Sequence, residues 1–359
     1  MKFVLVAGAR PDFMKIAPIM EAFRGRREAE VLLVHTGQHY DQKMSRDFFT
    51  DLGIPEPDMN LGIGSGSHAQ QTGRIMMAFE GICLAQRPDW VTVVGDVNST
   101  VACAITAKKL GIRVAHVEAG LRSRDMAMPE EVNRICTDAV ADLLFTTDVL
   151  ANDNLRREGV PDERIHFVGN TMIDTLLRHI DRARSLPLPD GLVAGGYAVL
   201  TLHRPSNVDR EEVLSGILEA IREVAEQMPV IFPAHPRTAQ NLRGLGIHCN
   251  ISVTEPASYI PFLGLVANAR LVVTDSGGIQ EETTVLGIPC ITMRPNTERP
   301  ITCELGTNIL AGNDPAGIRE GIRSVLRGGV RKASVPPRWD GHAAERIVQV
   351  FLDGHSFSG

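Results

Sequence analysis

The chain has 359 residues, 43% hydrophobic and 22% charged, with a formal net charge of -6. That is the composition of an ordinary globular protein of about two domains at ~150 residues each, and either domain can bury a full core. The mild acidity argues against a general nucleic-acid binder, which needs a basic face, but leaves room for a local basic pocket that takes a phosphorylated small molecule.

In chain order, the opening MKFVLVAGARP has a short apolar run ending at Gly8. It reads as a first strand, not a secretory leader. Further strands are expected at 31–35, 90–94, 113–117, 143–146 and 165–168, after the first at 3–7. Most lack strict polar alternation, so they read as strands buried on both faces in a parallel sheet. Helical patterns at 69–86 and 99–110 lie between them, the second with Asn98 or Ser99 as its cap. The Pro- and Gly-rich stretch 185–196 reads as loop. Strands then resume at 197–202, 230–234, 251–253, 271–274 and 290–293, with helices at 210–227, 279–286 and 341–352. The pattern predicts an α/β fold of two doubly wound, Rossmann-like domains, 1–168 and 169–340.

The cysteines Cys83, Cys103, Cys136, Cys249, Cys290 and Cys303 form no C-x-x-C pair. They read as reduced thiols of a cytoplasmic protein, and no Cys/His cluster has zinc-ligand spacing. No apolar run reaches the ~20 residues that span a bilayer. Neither a membrane nor a nucleic-acid partner is expected.

The polar residues sort to the strand ends. Gly8-Ala9-Arg10-Pro11-Asp12, Gly95-Asp96, Glu118-Ala119-Gly120-Leu121-Arg122, His203-Arg204, His235-Pro236-Arg237 and Asp275-Ser276-Gly277-Gly278 each follow a predicted strand. In doubly wound sheets that edge is where ligands bind. The stretch 275-DSGGIQEE-282 reads either as an ordinary capped helix start or as a phosphate seat, with Ser276, Gly277 and Gly278 offering amides and Glu281 and Glu282 accepting sugar hydroxyls. Arg10 is placed to clamp a diphosphate. Lys15, on the next helix, is either solvated or a second ligand. Asp96, Glu118 and Glu130 are three acids near one expected crevice, where crowding suits them to general acid and base work. Glu131 and Arg134 are spaced to pair along a helix. His203 ends a second-domain strand beside an arginine, a ligand position, whereas His116 sits inside a strand and reads as core.

Together G-x-RP-D at 8–12, GD at 95–96, HVEAGLR at 116–122, PEE-x-NR at 129–134, GNT-x-ID at 169–174, HR at 203–204, DSGGIQEE at 275–282 and TERP at 297–300 resemble the non-hydrolysing UDP-N-acetylglucosamine 2-epimerases. The resemblance implies a glycosyltransferase-B-type fold, two Rossmann-like domains facing across a cleft, with the C-terminal helix (341–359) packing back on the first. It implies interconversion of UDP-GlcNAc and UDP-ManNAc through a 2-acetamidoglucal, with no cofactor, neither NAD nor metal, and a homodimer as the working form. It implies that Arg10, His203, Ser276 and Gly277 hold the diphosphate, that Glu282 binds the ribose, and that Phe262 lies beside the uracil. Asp96, Glu118, Glu130 and His203 would be the catalytic set, and Lys15, Arg122, Gly278, Glu281 and Arg299 further substrate contacts. The chain departs from the family pattern at 203-HRPS-206, at Ile301 after TERP, and at 235-HPRT-238, which counts against the second-site activation by UDP-GlcNAc that some members show. The rivals are a 2-epimerase of a diacetamido-uronic acid, a hydrolysing 2-epimerase, a glycosyltransferase on the same fold, and a UDP-sugar sensor without catalysis.

Overall fold

The computed structural model describes residues 1–38, 49, 52–245, 249–329 and 333–353. The chain divides into two compact units, Met1–Thr175 with Pro337–Gly359, and Leu176–Pro336. Among the described residues no helix is long and apolar enough to cross a membrane.

The first unit holds β1 (Lys2–Ala7), β2 (Glu30–His35), β3 (Met59–Asn60), β4 (Trp90–Val94), β5 (Arg113–Ala119), β6 (Leu143–Thr146) and β7 (Ile165–Phe167). They form one sheet in the order β3-β2-β1-β4-β5-β6-β7. Every pair is parallel. The central strands β1 and β4 are mostly apolar and bury almost every side chain, as strands of a parallel sheet covered on both faces do. The chain runs outward from β1 to β3, then returns to lay β4 beside β1, with Val6 opposite Val93. The edge between β1 and β4 is therefore a topological switch point, where a crevice opens beyond the strand ends.

The helix Ala343–Asp353 belongs to this unit. Its first amides, those of Ala343 and Ala344, donate to the Asp174 carboxylate at 3.1 and 2.7 Å. Its Phe351 ring packs against Phe3, Trp90 and Phe145 at centroid separations of 5.0, 5.3 and 5.4 Å. Residues from 354 of the expected 341–359 return lie outside the described residues.

The second unit holds β8 (Ala198–Thr201), β9 (Val230–Pro233), β10 (Ile251–Thr254), β11 (Leu271–Thr274), β12 (Cys290–Thr292) and β13 (Asn308–Leu310). Their order is β10-β9-β8-β11-β12-β13, again all parallel. Its switch point lies between β8 and β11, where Thr201 pairs with Thr274. The α/β class with two doubly wound parallel sheets is thus as the sequence predicts.

Three local features differ from the sequence reading. The short edge strands β3 and β13 are new, too brief to show a strand pattern. The helix Asn98–Lys109 has Val97 at its cap position, not Asn98 or Ser99. Those two side chains are engaged elsewhere, Asn98 with Gln71 at 2.8 Å and Ser99 with Gln38 at 2.8 Å. Third, β5 runs on to Ala119 through a bulge in its pairing with β6 between Val117 and Ala119.

Candidate active site

In the first unit the charged groups gather where β1, β4 and β5 end. Glu118 occupies the β5 bulge with φ 73°. A non-glycine residue rarely adopts that left-handed backbone, and bulges re-aim a side chain beside functional sites. Glu118 is buried and forms an ion pair with Lys15, whose own side chain is buried. Lys15 is thus not a solvated surface charge. Asp12, on the same helix as Lys15, accepts the Gly8 and Ala9 amides at 2.8 and 2.9 Å. Burial pushes its carboxyl up to about 6; Lys15 and the two amides restrain it and the Asp96 charge adds to it. Gly95, with φ 65°, leaves room for this cluster, because a Cβ there would stand 2.9 Å from the Lys15 Nζ. Arg10 is the first residue of the helix Arg10–Phe23 and is partly exposed at the end of β1.

Asp96 follows β4 and forms an ion pair with Arg134. Arg134 also donates to Glu131 at 2.6 and 2.9 Å. Glu131 in turn accepts the Ser123 and Arg124 amides at 3.0 and 2.8 Å, which ties down the 120–128 loop. The pairing along the helix Pro129–Val140 is therefore no exposed ornament: Glu131 and Arg134 are buried, and the pair braces Asp96.

Asp96 and Glu130 line one cavity of about 240 Å³, with Gln38, His68, Asn98 and Asn133 also on its wall. Glu130 makes no hydrogen bond or ion pair with another side chain that we find among the described residues, and it sits in the first turn of its helix. Asn133 fixes the neighbouring turn by donating to the Asp96 carbonyl at 2.8 Å. Arg122, expected as a substrate contact, is committed elsewhere. It is buried, 2.7 Å from Asp138, and donates to Glu158 at 2.6 and 2.8 Å. Its geometry is that of a structural brace. His116, read as core, is fully buried and bonded at both ring nitrogens.

In the second unit the polar residues meet where β8 and β11 end. Asp275, fully buried, accepts the Arg204 amide at 2.9 Å, lies 2.7 Å from the His203 ring, and accepts the Asn207 amide group at 3.1 Å. Burial alone would raise its carboxyl, but the His203 ring and the backbone amides of Arg204 and His203 hold it below its usual value. The His203 side chain, by contrast, is 56% exposed, so its ring is anchored on one edge and open on the other.

Ser276 sits at the cap position of the helix Gly277–Leu286, yet its side chain makes no capping bond, contrary to the sequence expectation. The amides of Gly277 and Gly278 open that helix. The close neighbour of Gly277 is a buried charge network. A Cβ at Gly277 would meet Arg299 Nη1 at 2.6 Å and Glu298 Oε1 at 2.7 Å. Arg299 lies 2.9 Å from Glu281 and pairs with Glu298, which Arg294 also holds at 2.6 Å. Glu281 and Arg299, both expected to touch substrate, thus neutralise one another beneath the glycine turn. Glu282 is buried and accepts from the Tyr259 hydroxyl at 3.1 Å. Burial pushes its carboxyl up to about 7, with Glu281 adding to the rise and Tyr259 opposing it. Phe262 is partly buried on the helix Tyr259–Ala267, against the apolar cluster of Val199, Val266 and Val272.

Sequence reasoning gave no role to Asp12, Asp138, Tyr259, Arg294 or Glu298, although Asp12 and Glu298 stand inside motifs it quoted. One signal was available. Glu131, Arg134 and Asp138 recur at i, i+3 and i+7, which puts three charges on one helix face. All three are buried.

The family model described as UDP-N-acetylglucosamine 2-epimerase matches residues 21–352. A protein of Methanococcus maripaludis named UDP-N-acetylglucosamine 2-epimerase is 40% identical over 362 residues, spanning 97% of this chain and 98% of its own length. The UDP-2,3-diacetamido-2,3-dideoxy-D-glucuronate 2-epimerase of Pseudomonas aeruginosa is 43% identical over 332 residues, 91% of this chain and 92% of its own. Among solved structures, Methanocaldococcus jannaschii UDP-GlcNAc 2-epimerase in complex with UDP-GlcNAc and UDP superposes with a TM-score of 0.89 at 40% identity, over 99% of this chain and 100% of that one.

Proposed function

This chain belongs to the UDP-N-acetylglucosamine 2-epimerase family, and from that premise we propose that it is a non-hydrolysing 2-epimerase interconverting UDP-GlcNAc and UDP-ManNAc. The observation that carries the reading is the set of three carboxylates in the first unit: Glu118 aimed by a strained bulge at the end of β5, Asp96 just after β4, and Glu130 in the first turn of the helix Pro129–Val140, the last two on one cavity wall.

The chemistry asks for such a set. The hydrogen at C2 of the sugar is not acidic, because no carbonyl activates it. Cleavage of the C1–O bond therefore leads, giving oxocarbenium character at C1, and a carboxylate takes the C2 proton as the double bond forms. The products of this half-reaction are UDP and a 2-acetamidoglucal. In the return step a carboxylic acid delivers a proton to C2 from the opposite face, and the UDP oxygen closes on C1. Two faces need at least two acid/base groups, which Asp96, Glu118 and Glu130 can supply.

The departing diphosphate needs its charge stabilised. Our reading assigns this to the Ser276–Gly278 helix start, to His203 and to Arg10. Glu282 takes the ribose hydroxyls, and Phe262 lies beside the uracil. Lys15 keeps the Glu118 charge compensated in a buried setting.

A second reading, favoured by the 43% identity to the P. aeruginosa enzyme, is the same chemistry on a UDP-diacetamido-glucuronate. Incubation with each nucleotide sugar separately, followed by anomeric proton spectra, tests both. A new manno-configured UDP sugar from UDP-GlcNAc supports the first reading. Conversion of the uronate alone supports the second. Free sugar plus UDP from either would point to hydrolysis and contradict both.

A further inference from the structure

We propose that His116 and Asp138 are positioning residues for the epimerisation, a buried imidazolium–carboxylate pair that holds the Glu118 bulge and the Gly95–Asp96 turn in one fixed geometry. The inference rests on the function proposed above.

Glu118 is the starting point. A non-glycine residue at φ 73° stores backbone strain and persists only where its surroundings over-determine it. Asp138, on the helix Pro129–Val140, provides that constraint. One of its oxygens lies 2.6 Å from His116 Nδ1, and the other accepts the Gly120 amide at 3.1 Å. His116 and Gly120 stand two residues before and two residues after Glu118. A single carboxylate thus grips the chain on both sides of the strained residue. Gly120 is also packed so tightly that a Cβ there would stand 2.5 Å from the Ala151 carbonyl.

The other His116 nitrogen reaches the second acid. Nε2 lies 2.8 Å from the carbonyl of Gly95, the residue bonded to Asp96. The Gly95 amide donates to Val117 at 3.1 Å, which closes the link from the far side. A carbonyl and an ionised carboxylate offer only acceptors. Both ring nitrogens of His116 therefore donate, and the ring is an imidazolium although it is fully buried.

Its charge is compensated locally. Asp138 faces His116 and Arg122, and Arg122 faces Asp138 and Glu158. The two cations and two carboxylates balance, with His116, Arg122 and Asp138 buried and Glu158 at the exposed end of the chain of pairs. Burial alone would raise the Asp138 carboxyl, but His116 and Arg122 hold it below its usual range.

The full chain is assayed with UDP-GlcNAc in deuterated water, and the parent result alone decides the functional reading. Asp138→Asn keeps the volume but removes the two-sided acceptor, and His116→Gln removes the two-ended donor. A misplacement of the order of 1 Å costs about 10²-fold in rate, so kcat and C2 deuterium incorporation are expected to fall together by that factor, with KM and UDP affinity close to the parent's. A folded Asp138→Asn protein that keeps the parent kcat, with only a lower melting temperature, overturns the proposal. Should the variants not fold, ¹⁵N spectra of histidine-labelled parent decide it. Two ring N–H groups on His116 are expected, and a singly protonated ring overturns it.

Discussion

Lys15 and Glu118, side chains from α-helix and strand bulge that are 8% and 5% exposed, form an ion pair with Asp12 close by. The arrangement is asymmetric. Removing Lys15 leaves two buried acids without their cation, whereas removing the Glu118 charge leaves Lys15 beside Asp12. Breaking a buried pair from one side costs about 3–5 kcal/mol. Lys15→Ala is expected to lose that much stability in denaturant unfolding, and Glu118→Gln distinctly less.

The bulge itself gives a second expectation. Glu118→Ala and Glu118→Gly both remove the carboxylate and are both expected to abolish the proposed epimerisation. Only glycine adopts φ 73° without steric cost. Glu118→Gly is therefore expected to be the more stable of the two by about 1 kcal/mol. Equal or reversed unfolding midpoints would show that the bulge is not strained.

The strand ends were legible in sequence because charge does not belong in a strand buried on both faces. Gly8, Gly95, His203 and Asp275 stood out against the apolar runs before them, and the two switch points fall where they do. What stayed hidden was side-chain pairing between distant segments. Arg122 looked available for a ligand, yet its partner Glu158 lies 36 positions away and local pattern carries no trace of it. The same holds for Arg299 with Glu281. The bulge that turns Glu118 was also invisible, because Val117-Glu118-Ala119 reads as a strand simply ending. Short edge strands such as Asn308–Leu310 hold too few residues for any period to emerge.

Glu130 and Asp96 line the same cavity but differ in their ties. Asp96 is the partner of the buried Arg134, and Glu130 has no such duty. Loss of a general acid or base costs about 10²–10⁴-fold in rate. Glu130→Gln is expected to lose kcat by that order with an unchanged melting temperature. Asp96→Asn is expected to lose kcat and to melt earlier. A thermal shift in Glu130→Gln larger than that in Asp96→Asn contradicts this division.

Stability of the second unit carries a pH signature from Glu282. Its carboxyl rises from 4.5 to about 7 on folding. The folded state therefore holds the proton more tightly, and this contribution is fully present below 4.5 and lost as the pH rises through 7. Glu282→Gln, which cannot ionise, is expected to gain on the parent across that window, by up to about 3 kcal/mol on the scale of 1.36 kcal/mol per unit. Melting temperatures of parent and variant between pH 4.5 and 8 check the sign. A gap that narrows with rising pH would contradict the burial argument.

On the function proposed here, the acids at the ends of β4 and β5, with Glu130, move a proton at C2. The most direct test is the proton spectrum of the purified protein with UDP-GlcNAc in deuterated water. UDP-ManNAc signals and deuterium at C2 of both sugars are expected, each lost in Glu118→Gln. Formation of UDP-ManNAc with the original hydrogen retained at C2 would contradict proton exchange through these acids, and an unchanged spectrum would contradict UDP-GlcNAc as the substrate.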